Sequence, residues 1–318
     1  MDLAELARWT PVRLDLSRPV PAVFWADLTG VRFDEPFFDR TVARWAATPA
    51  ARPLVETGLD ALVALDREAS LEPTGIIFHL SRCGSTLVSR LLGTLPGVVV
   101  LNEPMPLNHL LGLGPERLDA PELVAAVRVL VRALGRCRHG DERRLVLKCS
   151  SWNIRRRHIL AAAFADTPWI WVQREPARVL ASLLASPPGW LGPQAHRAAR
   201  RFGIDEAAVP AMTRAEYAAR ALGAMLESAA ADQAGRLCVD YADLPSAVWL
   251  SVASHFGLDV DASAVARMAE EARFDSKSLE PRIFTGDLPE QRPLTDEIRA
   301  AARRFAEPGY RALAALGG

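Results

Sequence analysis

Short apolar runs alternate with segments of helical periodicity along most of the chain. Five runs contain almost no polar residues: 75–80, 98–101, 145–147, 169–172 and 237–239. Continuous apolar runs of this length are typical of strands buried on both faces of a parallel sheet. The periodicity between the runs predicts helices after Gly84 and over residues 120–134, 153–165 and 177–185. The alternation therefore predicts a three-layer α/β fold, with a mostly parallel sheet flanked by helices.

The first 70 residues follow a different pattern. Residues 12–16 alternate like a short strand, and residues 38–45 carry aromatic side chains at helical spacing. We expect residues 1–70 to form an N-terminal extension that packs on an α/β domain of residues 71–318. An alternative interpretation is that this aromatic segment shapes a ligand pocket or a subunit contact. Further along, residues 205–231 predict a long helical region that is broken near Pro210.

Composition excludes several classes of partner. The 38 Lys and Arg balance the 38 Asp and Glu, so the formal net charge is zero. Broad affinity for nucleic acid or for an anionic membrane is not expected, because both require excess positive charge. The four cysteines form no pair with metal-ligand spacing, and no apolar run is long enough to span a bilayer. Residues 1–8 lack the apolar stretch of a signal peptide. We expect a cytoplasmic protein without a metal.

The junction at residues 78–92 is the most informative motif. A buried strand passes through a tight basic loop into an apolar helix, which aims backbone N–H groups and the positive end of a helix dipole at one point. Such a point binds phosphate or sulfate. The ATPase pattern requires Gly, four residues and then Gly-Lys-Ser/Thr. Here Ser85 follows Gly84 directly and His79 occupies the position of the first Gly, so the pattern predicts a P-loop-type anion site without the ATPase lysine.

Charged residues follow the predicted strands where each strand ends. Arg82 comes after the first strand, Asn102 and Glu103 after the second, Lys148 after the third and Arg174 after the fourth. Ligands of open parallel sheets bind beyond the carboxyl ends of the strands. Three cations and one carboxylate at this edge predict a site for a multiply charged anion with one base beside it.

Two motifs resemble those of the sulfotransferases. Ser81-Arg82-Cys83-Gly84-Ser85-Thr86 resembles the 5′-phosphosulfate loop of that family. Arg174 at a strand end, with Ser182 eight positions later, resembles the motif that binds the 3′-phosphate of the sulfate donor, 3′-phosphoadenosine 5′-phosphosulfate (PAPS). Residues 240–244 (Asp-Tyr-Ala-Asp-Leu) resemble a Tyr-Glu-Asp-Leu segment found after a late strand in many members. The resemblance covers the chain from about Gly75 onward.

The resemblance implies a set of residues that bind PAPS, and the product adenosine 3′,5′-bisphosphate: Arg82, Cys83, Gly84, Ser85, Thr86, Arg174, Ser182 and Lys277. Arg82 would lie at the departing phosphate, where negative charge grows during transfer. Lys148 would steady the sulfuryl group, and Lys277 lies where the family often has a loop that covers the nucleotide. The implied activity is transfer of a sulfuryl group to a hydroxyl or amine of a small-molecule or peptide acceptor.

Glu103 is the preferred general base. Animal-type cytosolic sulfotransferases follow the corresponding lysine with Thr-His and use that histidine as the base, whereas Lys148 is followed by Cys149 and Ser150. Other branches of the family use a glutamate, and Glu103 is the natural substitute. His79 and His109 remain alternative bases.

Two other functions remain open. One is a P-loop kinase-like phosphotransferase, which the missing loop lysine disfavours. The other is a non-catalytic nucleotide-binding protein. The acceptor pocket would be built by the N-terminal extension, the Pro/Gly loop at 187–193 and the region 205–231, and aromatic residues could line it: Phe24, Trp25, Trp190 and Phe202.

Overall fold

A computed structural model describes residues 2–114, 118–192, 195–278, 282–284 and 293–316. Within them the chain forms two sheets. The strands are β1 (Thr10–Asp15), β2 (Ala22–Ala26), β3 (Val55–Gly58), β4 (Pro73–His79), β5 (Val98–Asn102), β6 (Arg144–Lys148), β7 (Trp169–Gln173) and β8 (Arg236–Asp240). The helices are α1 (Leu3–Leu6), α2 (Phe38–Ala46), α3 (Leu59–Ala64), α4 (Ser85–Leu92), α5 (Met105–Leu111), α6 (Ala120–Leu134), α7 (Arg157–Ala163), α8 (Pro176–Ala185), α9 (Ala195–Ala199), α10 (Arg214–Ala231), α11 (Ala253–His255), α12 (Ala262–Glu271), α13 (Asp296–Phe305) and α14 (Glu307–Leu316).

The larger sheet has five parallel strands in the order β5-β6-β4-β7-β8. Each of the five apolar runs forms one of these strands, and the prediction of a three-layer α/β fold is confirmed. The central strands are largely buried: all five residues of β7 are buried, as are the last four of β6 and the last five of β4. Two-sided burial explains why the strands appear as continuous apolar runs rather than as alternating ones.

The strand register brings the predicted site residues to one edge. Lys148 at the end of β6 lies opposite Ile77 of β4 on one side and opposite Asn102 of β5 on the other. Gln173, the last residue of β7, lies opposite Asp240 of β8. Because parallel strands end at the same side of a sheet, the residues that follow β4, β5, β6 and β7 face a shared space.

The N-terminal segment contains an antiparallel sheet in the order β1-β2-β3. All five residues of β2 are buried, and Trp25 donates a hydrogen bond from Nε1 to Thr57 Oγ1 of β3 at 2.8 Å. Strand β1 packs against α5 and α6 of the α/β part, and both parts contribute to one hydrophobic core. The division at residue 70 stays a prediction.

The helix predicted over 153–165 is wrong in its first half. Residues Ser151–Arg156 form a 3₁₀ helix, and α7 begins only at Arg157. The Asn153 N–H donates to the Ser150 carbonyl at 2.8 Å, and Asn153 Oδ1 accepts the Ser150 N–H at 2.7 Å. This reciprocal bonding tightens the first turn to three residues and leaves the Ser150 hydroxyl able to make other contacts.

The break predicted near Pro210 is confirmed. Residues Glu206–Ala211 form a 3₁₀ helix that contains Pro210, and α10 starts after it. No helix in the described ranges is both long enough and apolar enough to cross a bilayer.

The aromatic residues expected to line an acceptor pocket are instead packed in the core. Trp190 and Phe202 contact one another and Tyr217, with ring centroids 5.2 to 6.5 Å apart. Phe24 and Trp25 are buried in β2. Edge-to-face packing of this kind stabilises the fold and leaves little of these rings for a ligand.

Candidate active site

The loop between β4 and α4 has the geometry of an anion cradle. The φ angles of Ser81, Arg82 and Gly84 are 72°, 48° and 84°, all in the left-handed region. Two of these residues carry a Cβ, so the conformation has an energetic cost, and strain of this type is concentrated at functional sites. Gly84 precedes α4 without a side-chain cap, which leaves the first N–H groups of the helix to an exogenous anion.

Gly84 also lies in close contact with the segment after β8. A Cβ at this position would be 2.6 Å from Leu244 Cδ1 and 3.0 Å from Tyr241 Cδ2. We expect Gly84→Ala to lower the free energy of unfolding by more than the roughly 1–2 kcal/mol of left-handed strain alone, and to weaken anion binding. Denaturant unfolding and calorimetric titration with adenosine 3′,5′-bisphosphate measure the two effects.

Gly30 provides the matched control for this substitution. Its φ is 78°, but a Cβ there would meet nothing within 4 Å. Gly30→Ala therefore reports left-handed strain without crowding. Equal losses of stability in the two variants would show that the close packing of Leu244 and Tyr241 on Gly84 does not add to the cost of the substitution.

All eight residues predicted to bind the donor line one cleft, which we call the loop cleft: Arg82, Cys83, Gly84, Ser85, Thr86, Arg174, Ser182 and Lys277. They come from the β4–α4 junction, the β7–α8 junction and the segment after α12. The structure adds six lining residues that the sequence analysis does not include in this set: Leu87, Tyr241, Ala272, Phe274, Ser276 and Phe284.

The cationic side of the loop cleft is built around α8. The Arg174 guanidinium lies over the Tyr241 ring, 4.1 Å from its centroid. Ser182 is buried two turns further along α8. Arg82 donates from Nη2 to the Ser186 carbonyl at 2.5 Å and to its hydroxyl at 3.1 Å. Arg174 thus lies just before α8, and Arg82 bonds to the residue that caps the other end of that helix.

Cys83 has a structural position in the loop. Its thiol is buried and donates to the Val172 carbonyl at 3.1 Å. Burial raises the pKa of Cys83 to about 11, so the thiolate needed for nucleophilic chemistry is scarce at neutral pH.

Glu103 and Lys148 form an ion pair at the carboxyl ends of β5 and β6. The Lys148 Nζ lies 2.6 Å from Glu103 Oε1. The Lys148 side chain is fully buried, whereas 21% of the Glu103 side chain is exposed. Burial alone would raise the pKa of Glu103, but the Lys148 charge and the nearby His79 outweigh it and hold that pKa well below its ordinary range. Glu103 is therefore ionised and open to solvent on one side.

The Glu103 backbone is strained as well. Its φ is 54°, and its N–H donates to the Lys148 carbonyl at 2.7 Å. A glutamate in the left-handed region persists only where the surroundings over-determine it. The backbone bond and the side-chain ion pair together fix the carboxylate against β6.

Ser150 and Asn108 extend this cluster, and sequence reasoning missed both roles. The Ser150 hydroxyl donates to Glu103 Oε2 at 3.1 Å, and Asn108 Nδ2 donates to Ser150 Oγ at 2.9 Å. In the sulfotransferase motif that the sequence resembles, Ser150 occupies the position of the histidine of cytosolic members. This correspondence is the signal that could have identified Ser150 as a site residue. The structure shows that this position contacts the carboxylate.

The N-terminal segment contributes two more residues that the sequence analysis missed. The Phe37 ring centroid is 5.4 Å from Lys148 Nζ. Asp39 lies near enough that burial and the Glu103 charge raise its pKa. The segment before α2 therefore closes one side of the cluster.

The two alternative bases differ in their surroundings. His79 is buried; its Nδ1 accepts the Ser81 N–H at 3.1 Å, so neutral His79 carries its proton on Nε2, 3.5 Å from Glu103 Oε1. Burial lowers the pKa of His79. This histidine links the loop to Glu103 and faces the carboxylate. His109 lies against β1 beside Leu14, and burial lowers its pKa too.

Comparison with known proteins finds fold relatives alone. No family model and no curated protein matches the chain. Fourteen chains of solved structure match. One is the "Sulfotransferase Domain from the Synechococcus PCC 7002 Olefin Synthase", 18% identical, covering 76% of this chain and 96% of that one at a TM-score of 0.40. Another is sulfotransferase STF9 from Mycobacterium avium, 15% identical, covering 78% of each chain at 0.46. A sulfotransferase from Alicyclobacillus acidocaldarius is 14% identical, with coverage of 77% and 96% at 0.44.

Similarity at this level is too low to assign a function, which must be argued from the residues of the site. Within the described ranges, no group of three or more His, Cys, Asp or Glu is placed to hold a metal ion.

Proposed function

We propose that this protein is a sulfotransferase that moves a sulfuryl group from PAPS to a hydroxyl or amine and releases adenosine 3′,5′-bisphosphate. The observation that carries the proposal is the loop cleft. Three chain segments far apart in sequence bring the eight implied donor-binding residues to one surface. His79 connects that surface to the ion pair, because it contacts both Ser81 of the loop and Glu103.

The donor's charged groups match the cleft. Backbone N–H groups at Ser85 and Thr86 would hold the 5′-phosphate at the start of α4. Arg174 and Ser182 would bind the 3′-phosphate through charge-assisted hydrogen bonds. The Tyr241 ring lies beneath Arg174, and further apolar side chains line the same cleft, which suits a purine base.

The chemical step uses few protein groups. The acceptor oxygen or nitrogen attacks sulfur, its bond to sulfur forms, and the bond from sulfur to the bridging phosphate oxygen breaks. The electron pair of the broken bond leaves with adenosine 3′,5′-bisphosphate. Glu103 accepts the acceptor proton, and Lys148 and Arg82 stabilise the negative charge that shifts toward the departing phosphate.

Adenosine 3′,5′-bisphosphate and ADP distinguish this proposal from other nucleotide sites. We expect the bisphosphate to bind more tightly in a calorimetric titration. Arg174→Gln should cost bisphosphate binding about 1.5–3 kcal/mol, or roughly 10–150-fold, with little effect on ADP. Arg178→Gln is the matched control, since Arg178 lies in the first turn of α8, pairs with Glu175 and does not line the loop cleft. Equal affinity of the wild-type protein for both nucleotides would rule out the proposed donor.

Transfer itself needs a separate test. Mass-resolved transfer of sulfate from PAPS into a metabolite extract should yield a sulfated product. Tight binding of the bisphosphate with no product across a broad acceptor panel would instead support a non-catalytic nucleotide-binding protein.

We infer that the acceptor occupies a second cavity, of about 370 Å³, on the other side of α4. This cavity shares Thr86 with the loop cleft. Its lining includes Pro36 and Asn102, which directly precede Phe37 and Glu103 of the ion-pair cluster. Residues 31–36 of the N-terminal extension form one wall of this cavity.

A further inference from the structure

We propose that Arg90 is a positioning residue that fixes the turn carrying Lys277 over the loop cleft. The inference rests on the proposed function, because it assigns Lys277 a contact with the donor nucleotide. Arg90 lies in the last turn of α4, the helix whose first turn forms the anion cradle. It is absent from the lining of the loop cleft and lines the second cavity instead, so its effect on the donor is indirect.

The Arg90 guanidinium donates hydrogen bonds to three groups, one at the end of α12 and two in the segment after it. Its Nε pairs with Glu271, the last residue of α12. Its Nη1 donates to the Asp275 carbonyl at 3.2 Å and to the Ser278 carbonyl at 2.7 Å. A planar guanidinium can hold a carboxylate and two carbonyls at once, which a lysine ammonium on a flexible stem does poorly.

The turn that Arg90 holds is also closed internally. Asp275 Oδ1 accepts the Lys277 N–H at 2.9 Å, and the Asp275 carbonyl accepts the Ser278 N–H at 3.0 Å. The Asp275 N–H donates to the Arg282 carbonyl at 2.7 Å. These local bonds define the shape of the turn, and the contacts of Arg90 attach it to α4.

The position matters because the turn supplies one wall of the loop cleft. Phe274, Ser276 and Lys277 all line it. Ser276 also lines the second cavity, so the turn borders both spaces. Through Arg90, the wall is attached to the same rigid helix that presents the anion cradle. Lys277 is thereby set relative to the 5′-phosphate site.

A different role for Arg90 would be favourable interaction with the helix dipole alone, since a cation in a last turn stabilises a helix. That role predicts a loss of stability with unchanged nucleotide affinity. The positioning role predicts loss of affinity that disappears when Lys277 is absent.

A double-mutant cycle separates these roles. Arg90→Gln and Lys277→Ala are each expected to weaken binding of adenosine 3′,5′-bisphosphate about tenfold, and the double variant about tenfold rather than a hundredfold. For sulfate transfer, KM for PAPS should rise, and it is measured at saturating acceptor because Arg90 also lines the proposed acceptor cavity. Arg273→Gln is the matched control, because Arg273 lies in the same segment but pairs with Glu270 alone and is exposed. It should bind like the wild-type protein.

Independent effects, giving about a hundredfold loss in the double variant, would overturn the proposal. So would unchanged affinity in either single variant. Arg90→Lys provides a milder substitution if Arg90→Gln does not fold; it should retain the Glu271 pair and still weaken binding. Hydrogen exchange of the 270–278 amides in the nucleotide-free protein should be faster in Arg90→Gln, whatever the donor is. Failure of the wild-type protein to bind the bisphosphate, with exchange faster as expected, would refute the proposed function and keep Arg90 as the anchor of the turn.

Discussion

Replacement of Glu103 by Gln should lower kcat of sulfate transfer by about 10²–10⁴-fold. The amide can still accept the Lys148 hydrogen bond but cannot take a proton from the acceptor. The proposed donor site is the loop cleft, which Glu103 does not line, so the affinity for adenosine 3′,5′-bisphosphate should stay close to that of the wild-type protein. Sulfated product measured by mass spectrometry and calorimetric titration give the two quantities.

Glu227→Gln is the control for a lost surface carboxylate, since Glu227 is exposed on α10. It should leave both quantities unchanged. Near-wild-type turnover of Glu103→Gln would show that another group takes the proton, and His79 would then be the first candidate to replace. A large loss of bisphosphate affinity would show that Glu103 supports the donor site instead.

Replacement of Lys148 by Met should abolish transfer and destabilise the fold by about 3–5 kcal/mol, because it leaves a largely buried carboxylate without its counter-ion.

The ion pair of Lys148 and Glu103 also predicts that the stability of the fold depends on pH. Since Lys148 holds the folded-state pKa of Glu103 below the unfolded value, this stabilisation is complete above the ordinary Glu range and declines progressively as pH falls below that range toward the folded pKa. Denaturant unfolding across pH 3–8 measures both effects.

The double variant Lys148→Met/Glu103→Gln separates the effect of the Lys148 substitution on stability from its effect on catalysis. Removal of both charges should recover most of the lost stability, because no uncompensated charge remains buried. Activity should not return, as the base and the sulfuryl-binding cation are both gone. A single variant Lys148→Met as stable as the wild-type protein would mean that water, rather than the ammonium, compensates Glu103.

The sequence is sufficient to predict the five-stranded sheet and the positions that follow its strands. A strand that is buried on both faces has a continuous apolar sequence, so each strand can be recognised. Because ligands of open parallel sheets bind beyond the carboxyl ends of the strands, the position of the site can then be predicted. Arg174 and Ser182 belong to one local strand–helix unit, so their spacing along the sequence is enough to predict that they line the same cleft. Lys277 belongs to the cleft only through the packing of a distant turn on α4.

Other parts of the site depend on contacts that no local pattern contains. Ser150 reaches Glu103 because a 3₁₀ turn, rather than the predicted α-helix, follows β6. Phe37 contacts Lys148 because the N-terminal sheet packs on the α/β part. All five residues of β2 in that sheet are buried, so its sequence does not alternate between apolar and polar residues as that of a half-exposed strand would. Non-local pairings of this kind are determined by tertiary packing, which overrides local preference.

The hydrogen bonds of Glu103 bear on which atom of an acceptor is modified. Oε1 receives the Lys148 ammonium and faces His79, and Oε2 already accepts the Ser150 hydroxyl. Each carboxylate oxygen is thus held by a neighbouring side chain, which fixes the orientation of the carboxylate. Under the proposed function, a polyhydroxylated acceptor would present its hydroxyl groups to a base of fixed orientation, so the protein would select the hydroxyl that is modified instead of leaving the choice to the relative acidity of those groups.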